Sequence, residues 1–195
     1  WVRKTNIFQY LGVHYVDLIY YITNFKPVSV VAWGQKDFLI SKGIDTWDSI
    51  QVIVQWKRND NNIFISSHLS NWIDPDKTSA QSDQKISIVG TKGRYSSDQK
   101  NRGIEFVSDK EGINHINPYF TFQTFDKQTK SFVFSGYGID NIKQFFKDVD
   151  LFNNNKISLK QINNTRPSFK ESILVTAVIE SAYKSLTNNN KIIKI

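Results

Sequence analysis

Between Trp47 and Trp72 the chain carries two strands and the turn that joins them. In Trp47-Asp-Ser-Ile50-Gln-Val52-Ile-Val54-Gln-Trp56, apolar residues recur at every second position, the period of a strand with one buried face. Arg58-Asn-Asp-Asn-Asn62 has no apolar residue and reads as a turn. Ile63-Phe-Ile-Ser-Ser-His68-Leu-Ser-Asn-Trp72 follows at hairpin distance and is the expected antiparallel partner. A chain built on such a hairpin is committed to a sheet.

The rest of the chain extends that pattern. Val28 to Gln35 is rich in β-branched residues and reads as a strand, and Phe38 to Asp45 as a connection. Lys85 to Val89, Arg94 to Ser96 and Gly103 to Val107 read as further strands, followed by an aromatic-rich hairpin from Asn114 through Phe134. Helices are expected at about 140–152, where Ile142, Phe145, Phe146 and Val149 recur at helical spacing, and at 169–187. Ser168 and Glu171 form a capping box for the second of these. The Asn153–Asn155 and Asn163–Asn164 clusters read as loops, and Lys191 to Ile195 as a last short strand. Strands outnumber helices and are joined by short turns, so the expected class is α+β: an open, mostly antiparallel sheet with helices on one face. Such a sheet leaves its other face to be covered. Tryptophans at 33, 47 and 56 argue against a polar outer face and point to a partner subunit.

Near the start, Asn6 to Ile22 places a phenol, an imidazole and a carboxylate at helical spacing inside an apolar segment. Tyr10 and His14 lie at i and i+4, Asp17 borders the same face, and Ile7, Leu11, Leu18 and Ile22 form a stripe to bury. Thr23 to Pro27 ends the helix. A histidine so placed serves as a general acid/base, as a substrate ligand, or as a core residue with satisfied hydrogen bonds. Asp17 has a helix-surface role as its alternative. Trp72, Tyr119 and Tyr137 fall near strand ends or on loops, where they either stack on a sugar ring or pack in the core.

Composition narrows the field of chemistries. With 195 residues, 39% of them hydrophobic and 14% aromatic, the chain is globular and of single-domain length. It has no cysteine, which excludes disulfides and thiolate metal sites and is compatible with a cytoplasmic location. His14, His68 and His115 lack the spacing of a metal motif. No apolar run reaches the ~18 residues of a membrane span. The net charge of +7 is carried by scattered lysines, which form a solvated surface and not a nucleic-acid stripe. Gly136-Tyr-Gly138 lacks the third glycine of a dinucleotide loop, Gly90-Thr-Lys-Gly93 is a β-turn, and no GxSxG elbow is present.

Three segments together resemble the C-terminal domain of the Gfo/Idh/MocA family of NAD(P)-dependent oxidoreductases. They are Leu11-Gly-Val-His14-Tyr-Val-Asp17, Ile88-Val-Gly90-Thr-Lys-Gly93, and Arg166-Pro167-Ser-Phe-Lys-Glu171 running on to Ala182-Tyr-Lys-Ser185 and Lys191-Ile-Ile. The resemblance covers essentially the whole chain. It implies a single substrate-binding and oligomerisation domain over residues 1–195, without the N-terminal Rossmann domain that holds NAD or NADP in such enzymes. A start at Trp1 and the lack of any methionine fit a piece of a longer protein. The implied substrate is a sugar, nucleotide-sugar or cyclitol, and the implied assembly is a homo-oligomer through the exposed sheet face. His14 matches the family's catalytic histidine, while Tyr10 stands where the family's helix motif has an aspartate. That departure leaves a non-catalytic sugar-binding or dimerisation module as the alternative.

Overall fold

The computed structural model describes residues 1–58, 60–75, 77, 82–100, 103–116 and 121–195, except the side chains of 115, 116, 121 and 137. The chain divides into two compact units, one formed by Trp1–Asp76 with Arg166–Ile195 and the other by Lys77–Thr165.

The first unit is built on the hairpin. β1 (Lys26–Gln35), β2 (Ser49–Lys57), β3 (Ile63–Asn71) and the short β10 (Ile193–Lys194) form an antiparallel sheet in the order β10-β1-β2-β3. Alternation assigns the faces. Ile50, Val52, Val54 and Trp56 of β2 point inward and are fully buried, with Val30 and Ala32 of β1 beside them. Two helices close this face, α1 (Val13–Thr23) and α5 (Phe169–Thr187). They contribute Val16, Val175, Val178 and Ala182 to the core.

Local polar devices explain where the elements begin and end. Asn6 Oδ1 accepts the Gln9 amide at 2.9 Å and Gln9 Oε1 accepts the Asn6 amide at 3.1 Å, a reciprocal cap written as Asn-x-x-Gln. The first turn, Phe8–Gly12, is π-helical before the chain settles into α1. Of the expected stripe, Ile7 is fully buried, Leu11 packs against the core and Leu18 is half-buried, and Phe8, Gly12 and Val16 are buried beside them. Ile22 is exposed. Asn24, in the left-handed region at φ 53°, ends α1 with its amide on Tyr20 O. At the other end, the Ser168 amide donates to Glu171 at 3.2 Å, as the capping box requires. A clip then ties α5 to β1: the Ala32 amide donates to Ser185 Oγ, which donates to Lys191 O, while Asn190 Nδ2 donates to Ala32 O.

The connection between β1 and β2 includes a short helix, α2 (Phe38–Ser41). Asp48 organises it, accepting the amides of Asp37, Phe38 and Leu39 at 2.7–2.8 Å. Burial pushes the Asp48 carboxyl up, but the three amides outweigh it and hold the group below the usual carboxylate range.

The second unit contains β4 (Lys85–Gly90), β5 (Gly93–Asp98), β6 (Gly103–Ser108) and β7 (Gly112–Ile116) as an antiparallel meander, and the hairpin β8 (Thr121–Asp126) with β9 (Ser131–Gly136). Two helices follow, α3 (Tyr137–Asn153) and α4 (Leu159–Thr165). The antiparallel α+β class is as the pattern predicts, with the described strands divided among three sheets. Asn163 and Asn164 belong to α4 and not to a loop, because Ser158 and Gln161 cap that helix: the Ser158 amide donates to Gln161 Oε1 at 2.9 Å.

Of the three tryptophans expected on the outer face, only Trp33 lies there. Trp56 faces the core, stacked on Phe64 at 5.8 Å. Trp47 covers Gly34, where a Cβ would lie 2.2 Å from its ring, so glycine is required for the indole to sit against β1. The outer face is apolar nonetheless. Pairing places Trp33, Gln51 and Leu69 in one row and Val31, Ile53 and Ser67 in the next, with Ile65 beyond.

Candidate functional site

The candidate residues converge in part around the π-turn and the end of β3. Tyr10 leaves the π-turn half exposed and meets Trp72, which follows β3, at 5.4 Å between ring centroids. Trp1 joins them, 5.4 Å from Tyr10 and 5.9 Å from Trp72. Trp72 Nε1 is buried and has no acceptor among the described residues. An indole donor in this state is the kind of group that a ligand hydroxyl satisfies.

His14 and Asp17 are exposed on the first turns of α1. No hydrogen-bond partner for the His14 imidazole is found among the described residues. An open imidazole about one turn from Tyr10 is free to meet a ligand, whereas a satisfied core histidine is not. Tyr119 lies outside the described residues, and Tyr137 is described only as the first residue of α3.

A second histidine is the buried one. His68 lies on the inward phase of β3, 8% exposed, with Phe8 edge-on to its ring at 5.7 Å. Trp56 Nε1 donates to Ser66 Oγ at 2.8 Å, and the same hydroxyl is hydrogen-bonded to His68 Nε2 at 2.8 Å. Burial pushes the imidazole down to about 4. Its burial follows from pairing with the inward Val52 of β2, whereas Ile63, Ile65 and Leu69, the apolar phase of β3, face outward.

The remaining chemistry is sparse. Among the described residues no group of three or more His, Cys, Asp or Glu side chains could hold a metal ion, and no helix is long and apolar enough to cross a membrane. The Gly136 amide, where a phosphate cradle would begin, donates instead to Asp140 Oδ2 at 2.8 Å. A carboxylate on that amide repels phosphate, so Gly136-Tyr-Gly138 does not fit a dinucleotide.

No protein-family model and no curated protein matches the chain. Solved structures do. An oxidoreductase from Sinorhizobium meliloti matches with a TM-score of 0.65 at 13% identity, over 94% of this chain and 51% of that one. An inositol dehydrogenase homolog from Azotobacter vinelandii, solved with NADH and myo-inositol, matches with 0.64 at 11% identity, over 95% and 48%. The transcriptional regulator Gal80p from Kluyveromyces lactis matches with 0.63 at 15% identity, over 97% and 46%. The chain thus spans about half the length of the structures it matches. At these identities the likeness is one of fold: the chain has the fold of the C-terminal domain of Gfo/Idh/MocA-type oxidoreductases.

Proposed function

We propose that this chain is the substrate-binding and oligomerisation domain of an NAD(P)-dependent oxidoreductase acting on a sugar, nucleotide-sugar or cyclitol. One observation carries the reading. On a fold shared with an inositol dehydrogenase homolog, an open His14 stands about one turn from Tyr10, which pairs with Trp72, whose indole N–H has no acceptor among the described residues. Aromatic faces suit the C–H face of a polyol ring, and an unsatisfied donor suits its hydroxyls. Oxidation of such an alcohol removes the hydroxyl proton as the hydride leaves, and an imidazole does this well. In this reading His14 takes that proton, Tyr10 and Trp72 orient the ring, and Asp17 supplies a further contact. The nicotinamide, when bound, accepts the hydride. A domain of the longer protein outside this chain holds it, and this chain alone is inactive.

The test is His14→Ala in the two-domain protein encoded around this chain. Turnover should fall by about 10²-fold or more while the melting temperature stays within a few degrees. An equal loss of folding would return His14 to a structural role. Titrating NADH into this chain alone separately probes the division of labour, and tight binding would overturn it.

A second reading keeps the fold and drops the chemistry. Tyr10 in place of the family carboxylate and the match to the regulator Gal80p support a non-catalytic sugar-binding or dimerisation module. The encoded sequence upstream of Trp1 separates the two: a Gly-rich βαβ unit with a Glu-Lys-Pro segment favours the enzyme.

A further inference from the structure

The turn that carries Tyr10 is π-helical and packs on one buried ring. Phe8 is 1% exposed, and its ring occupies the space where a side chain at position 12 would start. A Cβ on Gly12 would lie 2.2 Å from Cδ2 and 2.5 Å from Cε2 of Phe8. On its other side the ring meets the His68 imidazole, itself fixed by Ser66 and Trp56. A continuous stack of rigid parts therefore runs from Trp56 of β2, across β3, to the helix backbone at Gly12. Gly12 stands two residues after Tyr10 and two before His14.

We propose that Phe8, seated between Gly12 and His68, is the positioning residue of the candidate site, fixing the turn that presents Tyr10 to Trp72 and His14 to the substrate. This rests on the reading of Tyr10, Trp72 and His14 as a substrate site. π-Turns are rare and cluster at functional sites because their looser hydrogen-bond register needs external support. Here the support is a flat ring that only a glycine admits. A branched or smaller side chain fills part of the volume but offers no plane for the Gly12 backbone and no edge contact to the imidazole. Phe8 touches no substrate in this arrangement; it acts through the turn.

Phe8→Leu tests this, since leucine keeps most of the buried apolar surface. The readout is the NMR ring-current shift of the Tyr10 ring protons, which the neighbouring Trp72 indole displaces, in native and variant chain. Phe8→Leu is expected to return the Tyr10 resonances toward random-coil positions while the amide shifts of β1 and β2 stay in place. Affinity for myo-inositol, measured calorimetrically on the same samples, should fall about tenfold. Gly12→Ala should move the same Tyr10 resonances; if it does not fold, Phe8→Leu alone decides. Tyr10 shifts unchanged in Phe8→Leu overturn the proposal. A lost Tyr10 shift in a chain whose native form binds no polyol upholds the positioning role and removes the substrate reading instead.

Discussion

His68 packs its ring against Phe8 and is hydrogen-bonded to Ser66, so an added proton charges a desolvated imidazole. Its folded value of about 4 lies below the 6.5 of an unperturbed histidine. Between those two values the unfolded chain binds the extra proton, so stability is complete above pH 6.5 and falls as pH drops toward 4. The shift corresponds to roughly 3 kcal/mol over the window. Urea unfolding at pH 7, 5.5 and 4.5 should show this slope, and His68→Phe should remove most of it. A variant that keeps the slope would assign it to other groups. Asp48 acts in a separate window: its carboxyl is held below 3.8 by three amides, so its contribution is present above 3.8 and is lost as pH falls through the lowered value. The two histidines also show what single residues disclose in a sequence. The burial of His68 runs against the apolar phase of β3, which Ile63, Ile65 and Leu69 carry, and the meeting of Tyr10 with Trp72 joins positions 62 residues apart and has no local signature.

Elements are set by caps more than by propensity. The Asn6–Gln9 pair satisfies two amides at a helix start where Asn6 is 2% exposed. Asn6→Ala should cost about 1–2 kcal/mol in chemical denaturation. Asn6→Asp should recover most of the loss, since it keeps the acceptor for the Gln9 amide. A loss as large in Asn6→Asp as in Asn6→Ala would assign the effect to packing. The capping box of α5 was legible because Ser168 and Glu171 stand directly before an apolar run. The same device at Ser158 and Gln161 starts α4, where asparagine-rich composition pointed to a loop. Composition is a weak signal beside a satisfied cap. The π-turn was not legible at all, since it depends on the fit of Phe8 to Gly12 across one turn and to His68 on another element.

At the scale of the whole molecule, alternation told which strand residues share a face, but could not tell which of the two faces the helices would take. Trp56 and the buried valines claimed the helix side, and the outer face kept Trp33, Val31, Ile53, Ile65 and Leu69. Ile65 and Leu69 are 66% and 68% exposed, on a face whose rows also hold Gln51, Gln55 and Ser67. Large apolar side chains mixed with uncharged polar ones, and few charges, is the composition of an interface core. In the proposed homo-oligomer this is the face that a second copy covers. A sheet meeting its own copy keeps these residues dry on both sides, so one charge introduced there is buried twice in a symmetric pair. Leu69→Lys should therefore shift sedimentation from dimer to monomer with little change in far-UV circular dichroism, because the lysine of the monomer points to water. Tyr21→Lys, on the exposed side of α1, is the control and should leave the dimer intact. A native chain that sediments as a monomer throughout would leave the outer face to a different partner.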